Sequence, residues 1–365
     1  MGRASRQAAR PVEGCLSLET SRQKTNRFRF EFWRFAGLAN SPRNIISPRW
    51  RWCRYRRRIT LNALLMRERG AGVETPAVHL PTGVVGGSYK ASIPLIRRSR
   101  LTTRANGGVG KQLSDGWCLN FAVGCTHACP FCYVDEIHKR FGLARYGDAV
   151  RERWGNYLLV PENLDAAIDQ TPWKNWAGKE AMMSSTHDPY LPKLASAARA
   201  ILEHALPAGV EICLQTRSFL VTKDIDFLAD YREQVRLQVS ISTMDGGFAR
   251  LIEPRVPPPA ARVEVLRRAR EAGIRVGVIL APIFPPCSQR PDAIADLSAM
   301  AQALEDIQPD HIYGESVHIR GQNLRLLEEA LGEPVRLTKG FDLGISRVFH
   351  QQLKKSGLKG VWWPA

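Results

Sequence analysis

The chain has no apolar run near the roughly 18 residues that a spanning helix needs. Its longest candidate, Val276 to Phe284, is strand-length and ends in Pro285-Pro286. No membrane span is therefore expected. No apolar segment follows the first basic residues either, so no secretory signal is read and a cytoplasmic location is expected. Cysteine is too scarce for a disulfide scaffold, at eight in 365 residues. A phosphate loop is missing too. Gly107-Gly108-Val109-Gly110 precedes a strand pattern, no Lys-Ser/Thr pair follows it, and no helix opens after it. With 44% hydrophobic and 24% charged residues, the length suits one large α/β barrel with small extensions.

The net charge of +17 looks like a signal for nucleic acid, but its distribution weakens that reading. Residues 1–66 hold 15 Lys and Arg against Glu13, Glu19 and Glu31, a balance of +12 that leaves +5 for the other 299 residues. The arm 1–66 has no steady period, and Arg54-Tyr55-Arg56-Arg57-Arg58 is its densest run. It reads either as a disordered arm that binds phosphates or as an over-extended start, with Met66 as the start. The second reading is preferred, because a patternless, Arg-heavy, Lys-poor stretch is what such an extension produces. Residues 67–117 are rich in Gly, Pro and Ser and read as a flexible lead-in. Their basic run from Arg97 to Lys111 reads as a solvated face, with contact to a nucleic-acid backbone as the alternative.

From residue 118 the pattern becomes strand–helix alternation. Strands are expected near 118–123, 180–186, 210–216, 235–242, 274–281 and 310–315. Helices are expected near 130–141, 192–206, 223–232, 259–272 and 290–306. Val263, Leu266, Ala269 and Ala272 mark one apolar face, with Arg262, Glu264, Arg267 and Arg268 off it. Six βα units in succession imply a parallel sheet with right-handed crossovers, hence an α/β fold with a partial (β/α)6 TIM-type barrel over 118–320. The tail 321–365 reads as a helical cap, with helices near 322–331 and 343–356. It closes on Val361-Trp362-Trp363, where the tryptophans are expected to pin the tail rather than stack on bases.

Three of the cysteines are clustered: Cys125, Cys129 and Cys132, at spacing C-x3-C-x2-C, follow the first barrel strand. Chemistry in such barrels collects at the C-terminal ends of strands, where this loop falls. Three thiolates can hold three corners of an iron–sulfur cube and leave the fourth iron open to a small molecule. A structural zinc site would use four ligands, here completed by Cys118 or His127, and close the shell. Cys15, Cys53, Cys118, Cys213 and Cys287 are scattered and read as small buried residues.

The cysteine loop, with Phe131 before its third cysteine and Leu119-Asn120-Phe121-Ala122-Val123-Gly124 ahead of it, resembles the radical S-adenosylmethionine (radical SAM) superfamily. Later segments resemble its spore photoproduct lyase-like branch. They are Ser184-Ser185-Thr186-His187-Asp188-Pro189-Tyr190, Thr216-Arg217-Ser218, Val221-Thr222-Lys223-Asp224, Ser240-Ile241-Ser242-Thr243, Glu253-Pro254 and Ala281-Pro282-Ile283. The resemblance covers about 200 residues, from 118 to 318. It implies a [4Fe–4S] cluster on Cys125, Cys129 and Cys132, and SAM as the ligand of the open iron. One electron would then cleave SAM to a 5′-deoxyadenosyl radical. It further implies SAM contacts from Ser185, Thr186, Asp188, Arg217 and Ser240, with capping of the next helix as the bland alternative for Ser and Asp. An electron donor such as flavodoxin or ferredoxin is implied as a partner. Nucleic acid is the candidate substrate, and a peptide or small metabolite is the alternative. A non-catalytic metal-binding or nucleic-acid-binding module is the reading from another class.

Two departures bear on the reaction. Ser185 stands where the lyase has a hydrogen-donating cysteine, and Phe131 stands where it has a tyrosine. An alcohol O–H is too strong to supply a hydrogen atom, so the lyase relay is not expected. Tyr133 and Cys287 remain as candidate catalytic residues. No second C-x2-C motif is present, so no auxiliary cluster is indicated. His127 is expected to be exposed in its loop. His311, Glu315 and His318 straddle the expected end of the sixth strand and could touch substrate or pair with one another.

Overall fold

The structure is a computed structural model that describes residues 80–99, 113–338 and 340–363. All of them fall in one compact unit, Pro76–Ala365. The arm 1–66, the start site at Met66, Cys15 and Cys53, and most of the run Arg97–Lys111 lie outside the described residues. Among the described residues no helix is long and apolar enough to cross a membrane.

Ten strands are described: β1 Val85–Tyr89, β2 Ile96–Arg98, β3 Trp117–Leu119, β4 Tyr157–Pro161, β5 Glu180–Met183, β6 Glu211–Thr216, β7 Val235–Ser240, β8 Arg275–Ile283, β9 His311–Ser316 and β10 Val361–Trp363. Eight form one sheet in the order β10-β9-β8-β7-β6-β5-β3-β2. Every neighbouring pair is parallel except β2 with β3. The described sheet does not close, so β3 and β5–β9 make a partial barrel of the expected kind. Its strands are buried on both faces, as parallel strands under helices must be. In β8, eight of nine residues are buried or half-buried.

The helix Pro259–Glu271 shows how the outer layer forms. Proline at its first position pre-sets φ and loses no hydrogen bond. Val263, Leu266 and Ala269 then recur at three-residue steps and are buried against the sheet. Arg262, expected off that face, is itself only 1% exposed. It is buried because it has a carboxylate partner, described below.

Several elements escaped the sequence reading. The lead-in 67–117 contains β1 and β2. β1 pairs in parallel with β4, also unforeseen, in a separate two-stranded sheet. β3 ends at Leu119, short of the expected residue 123. The chain bends away there so that Val123 can bridge to Leu159 of β4. The tail supplies its two expected helices, Asn323–Leu331 and Phe341–Lys355, and then adds β10 as a seventh parallel strand beside β9. Trp363 stacks on Tyr313 with centroids 4.5 Å apart, and Trp362 lies 5.4 Å from Phe349.

Phe349 is fully buried, and a Cβ on Gly314 of β9 would collide with it. The ring thus docks the last helix directly on sheet backbone. Phe349→Ala is expected to cost about 3–5 kcal/mol. Urea denaturation should show a lower midpoint with an unchanged m-value.

Candidate functional site

The cysteine loop starts at Gly124, which must be glycine. Its φ is +91°, and a Cβ there would sit 2.2 Å from the Tyr157 carbonyl oxygen. The loop closes through turns, with Cys132 N–H donating to the Cys129 carbonyl at 3.1 Å. Ala128 is left-handed at φ 57° and packs on Gly155, where an added Cβ would lie 2.3 Å from that of Ala128. The helix Val134–Phe141 opens directly after the loop.

Cys125, Cys129 and Cys132 line one cavity of about 130 Å³. Burial pushes the Cys125 thiol up to about 12 and the Cys132 thiol up to about 11, and raises Cys129 well above the ordinary value. Arg217 opposes this at Cys129 and Cys132. A positively charged occupant would oppose this effect of burial and favour all three thiolates. Among the described residues no group of three or more His, Cys, Asp or Glu is set to hold a metal ion as it stands. The three thiols share the wall of one cavity, and thiolates are the ligands that an iron–sulfur cluster takes. Both candidate fourth ligands of a zinc site are otherwise engaged: Cys118 Sγ accepts from Asn120 at 3.5 Å, and His127 contacts Asp188.

His127 is not exposed as expected. It is 6% exposed, with Nε2 3.0 Å from Asp188 Oδ2 and Nδ1 3.2 Å from the Arg255 carbonyl oxygen. Asp188 accepts three further bonds, from Tyr190 N–H at 2.8 Å, the Thr216 hydroxyl at 2.7 Å and Arg217 N–H at 2.6 Å. Burial pushes its carboxyl up, but His127, the Arg217 N–H and the Thr216 hydroxyl more than offset that and hold it below the usual carboxylate range. The carboxylate therefore joins the cysteine loop to the ends of β5 and β6, with both oxygens occupied.

The other expected residues divide. Ser185, Thr186, Arg217 and Tyr133 line the thiol cavity with Asp188. Ser185 is fixed by Asn120, whose Oδ1 accepts from its N–H at 2.9 Å. The Tyr133 hydroxyl donates to the Ser185 carbonyl at 3.4 Å. Ser240 and Cys287 do not line it. Ser240 Oγ accepts from Gln215 Nε2 at 3.5 Å, and Gln215 does line the cavity. Cys287 packs with Phe131, Phe248 and Phe284 in a neighbouring apolar cluster. Glu315 and His318 pair at 2.9 Å. His311 sits at the start of β9, the opposite end of the strand, 3.0 Å from Gln238.

Sequence reasoning missed Gln215, His187 and Trp154 on the cavity wall. It also missed the ion network behind Arg217. Arg217 Nε donates to Glu253 at 3.1 Å and one terminal nitrogen to the Ala281 carbonyl at 3.2 Å. Glu253, in turn, takes the fully buried Arg262 on both oxygens and the Ser242 hydroxyl at 3.1 Å. Two of Arg217's three nitrogens are thereby engaged, which leaves one terminal nitrogen for a ligand. Burial raises the Glu253 carboxyl, but Arg262 and Arg217 outweigh it and hold it below its ordinary value.

Glu253→Ala strands two cations, one of them at 1% exposure. It is expected to cost about 3–5 kcal/mol. With a depressed folded-state value, Glu253 stabilises fully above its unfolded-state value, and this is lost as pH falls through the folded-state one. Urea midpoints should therefore fall below about pH 4.5. That acid decline should be shallower in Glu253→Gln.

Comparison with known proteins places this geometry. The family model of the radical SAM superfamily matches residues 119–296. An uncharacterised protein of Acidianus two-tailed virus, ORF301, is 57% identical over 277 residues, which are 76% of this chain and 92% of the relative. An uncharacterised protein of Methanocaldococcus jannaschii is 30% identical over 171 residues, 46% of this chain and 61% of the relative. Among solved structures, a spore photoproduct lyase variant has a TM-score of 0.54 at 13% identity, covering 76% of this chain and 81% of that one. Another variant of the lyase, with bound AdoMet and dinucleoside spore photoproduct, has a TM-score of 0.50 at 15% identity, covering 68% and 76%. At such identities the likeness is one of fold. Taken with the match to the family model and the three thiols on one cavity, it means that the chain belongs to the radical SAM superfamily, whose members use a [4Fe–4S] cluster and SAM.

Proposed function

We propose that this protein is a radical SAM enzyme that acts on nucleic acid, with Cys125, Cys129 and Cys132 as the ligands of its cluster. The observation that carries the reading is the convergence of these thiols and Arg217 on one cavity at the C-terminal ends of β3, β5 and β6. When bound, the cluster supplies the electron that cleaves SAM to methionine and a 5′-deoxyadenosyl radical.

The chain's own residues have separate tasks. Arg217 presents its remaining terminal nitrogen to the SAM carboxylate, and its charge favours thiolate at Cys129 and Cys132. Thr186 and Ser185 offer hydroxyls to the ribose or amino group. Asp188 and Ser240 act as positioning residues, through His127 and Gln215 respectively. Tyr133 is the candidate hydrogen-atom donor in the cavity. A phenol O–H is weaker than an alcohol O–H because the ring delocalises the radical. Burial pushes its pKa above the ordinary phenol value and keeps that hydrogen on the oxygen. Cys287 has no such access. A flavodoxin or ferredoxin supplies the electron.

The nucleic-acid reading draws on the fold shared with a lyase whose structure holds a dinucleoside photoproduct. The test is anaerobic reconstitution with iron and sulfide, followed by reduction and assay of 5′-deoxyadenosine with and without DNA or RNA. Wild-type protein should be brown and cleave SAM, and one nucleic acid should stimulate cleavage. Cys129→Ala should bind less iron and lose cleavage by at least about a hundredfold. An iron-replete, active Cys129→Ala would overturn the ligand assignment, and indifference to every nucleic acid would overturn the substrate class.

A further inference from the structure

A second cavity, of about 410 Å³, lies beside the thiol cavity, and Trp154 lines both. Lys139 reaches the second cavity from the helix Val134–Phe141. Arg151 and Arg153 come from the segment before β4. Gln322, Arg325 and Leu326 come from the start of the helix Asn323–Leu331. Every charged side chain on its wall is a cation, and no carboxylate lines it.

The carboxylates behind that wall do not balance it. Arg153, at 3.0 Å, and Arg325 share the single carboxylate of Glu329. Asp148 meets Arg151 at 3.2 Å, with both side chains largely in solvent, where such a pair is screened. Only Lys139 has a shielded partner of its own, Asp135 at 2.9 Å. The helix Asn323–Leu331 starts at this wall without a side-chain cap, so its positive end adds to the field. On the partition itself, the Trp154 indole N–H is buried and has no acceptor among the described residues. Cations clustered without lining anions form a receptor for oxyanions.

We propose that this cavity binds a phosphate group of the substrate while the reacting part of the same molecule enters the thiol cavity across Trp154. This rests on the nucleic-acid reading above and deepens it. A nucleotide carries its anion and its base on opposite sides of a sugar, so one residue can reach both sides of a single indole partition. The phosphate can belong to a free nucleotide or to a nucleic-acid strand.

The test compares the full-length wild type with Arg153→Gln/Arg325→Gln and with Arg325→Lys. The probes are a short fluorescein-labelled single-stranded DNA, thymidine 5′-monophosphate, thymidine and inorganic phosphate, with thermal melting as the check on folding. Thymidine 5′-monophosphate and DNA should each bind at least about tenfold more weakly to the double variant, with a shallower salt dependence. Arg325→Lys should keep most of the affinity, and thymidine should not distinguish the proteins. Unchanged affinity of a folded double variant for both phosphate-bearing probes would overturn the proposal. If nucleic acid stimulates SAM cleavage in the wild type and still binds that variant unchanged, the cavity assignment falls alone. If thymidine 5′-monophosphate binding weakens and no nucleic acid binds or stimulates, the cavity stands as a nucleotide site and the nucleic-acid reading falls.

Discussion

One buried carboxylate holds the centre of this molecule together. Asp188 takes His127 from the cysteine loop, the backbone of its own turn after β5, and two groups where β6 ends, the Thr216 hydroxyl and the Arg217 N–H. These groups lie at or just beyond strand ends, where ladder bonds stop and polar groups need other partners. Gathering them on one anion satisfies those groups and sets the distance between the thiols and the strand ends. The cavity in between is what remains when three loops are tied to one point.

The second organising charge is Arg217. Its guanidinium is anchored by Glu253 and the Ala281 carbonyl, and Glu253 is anchored by Arg262. A lysine could not form this fork, because it presents one nitrogen and no fixed plane. The cost of burying three charges is offset only because each is paired and hydrogen-bonded. The result is a cation of fixed position beside Cys129 and Cys132 in a site of low dielectric. A positive charge so placed favours the anionic form of any sulfur ligand there.

Much of this was legible in the chain itself. The C-x3-C-x2-C spacing marks the thiols without a structure, because three sulfurs within eight residues have few uses. Short apolar runs separated by helix periods gave six strands of the barrel. What stayed hidden depends on pairs far apart in sequence. His127 reads as a loop residue until Asp188, 61 positions on, is seen beside it. Arg262 reads as a solvated helix residue until Glu253 meets it. β1, β2 and β10 are strands only because a partner strand lies alongside. Val85–Tyr89, with two glycines, and Val361–Trp363, with three residues, have too little pattern to declare themselves. Gln215 is a polar residue in an apolar strand, and only the register of the sheet shows which way it points.

The contact between Ala128 and Gly155 has a mechanical meaning. It leaves no side-chain layer between the two loops, so neither has slack with respect to the other. Ala128 lies between two of the three thiols, and Gly155 follows Trp154. The backbone that carries the sulfurs and the backbone that carries the indole partition therefore meet across a single methyl group at this joint. A shift on either side of that joint is passed to the other without the damping that flexible side chains would provide.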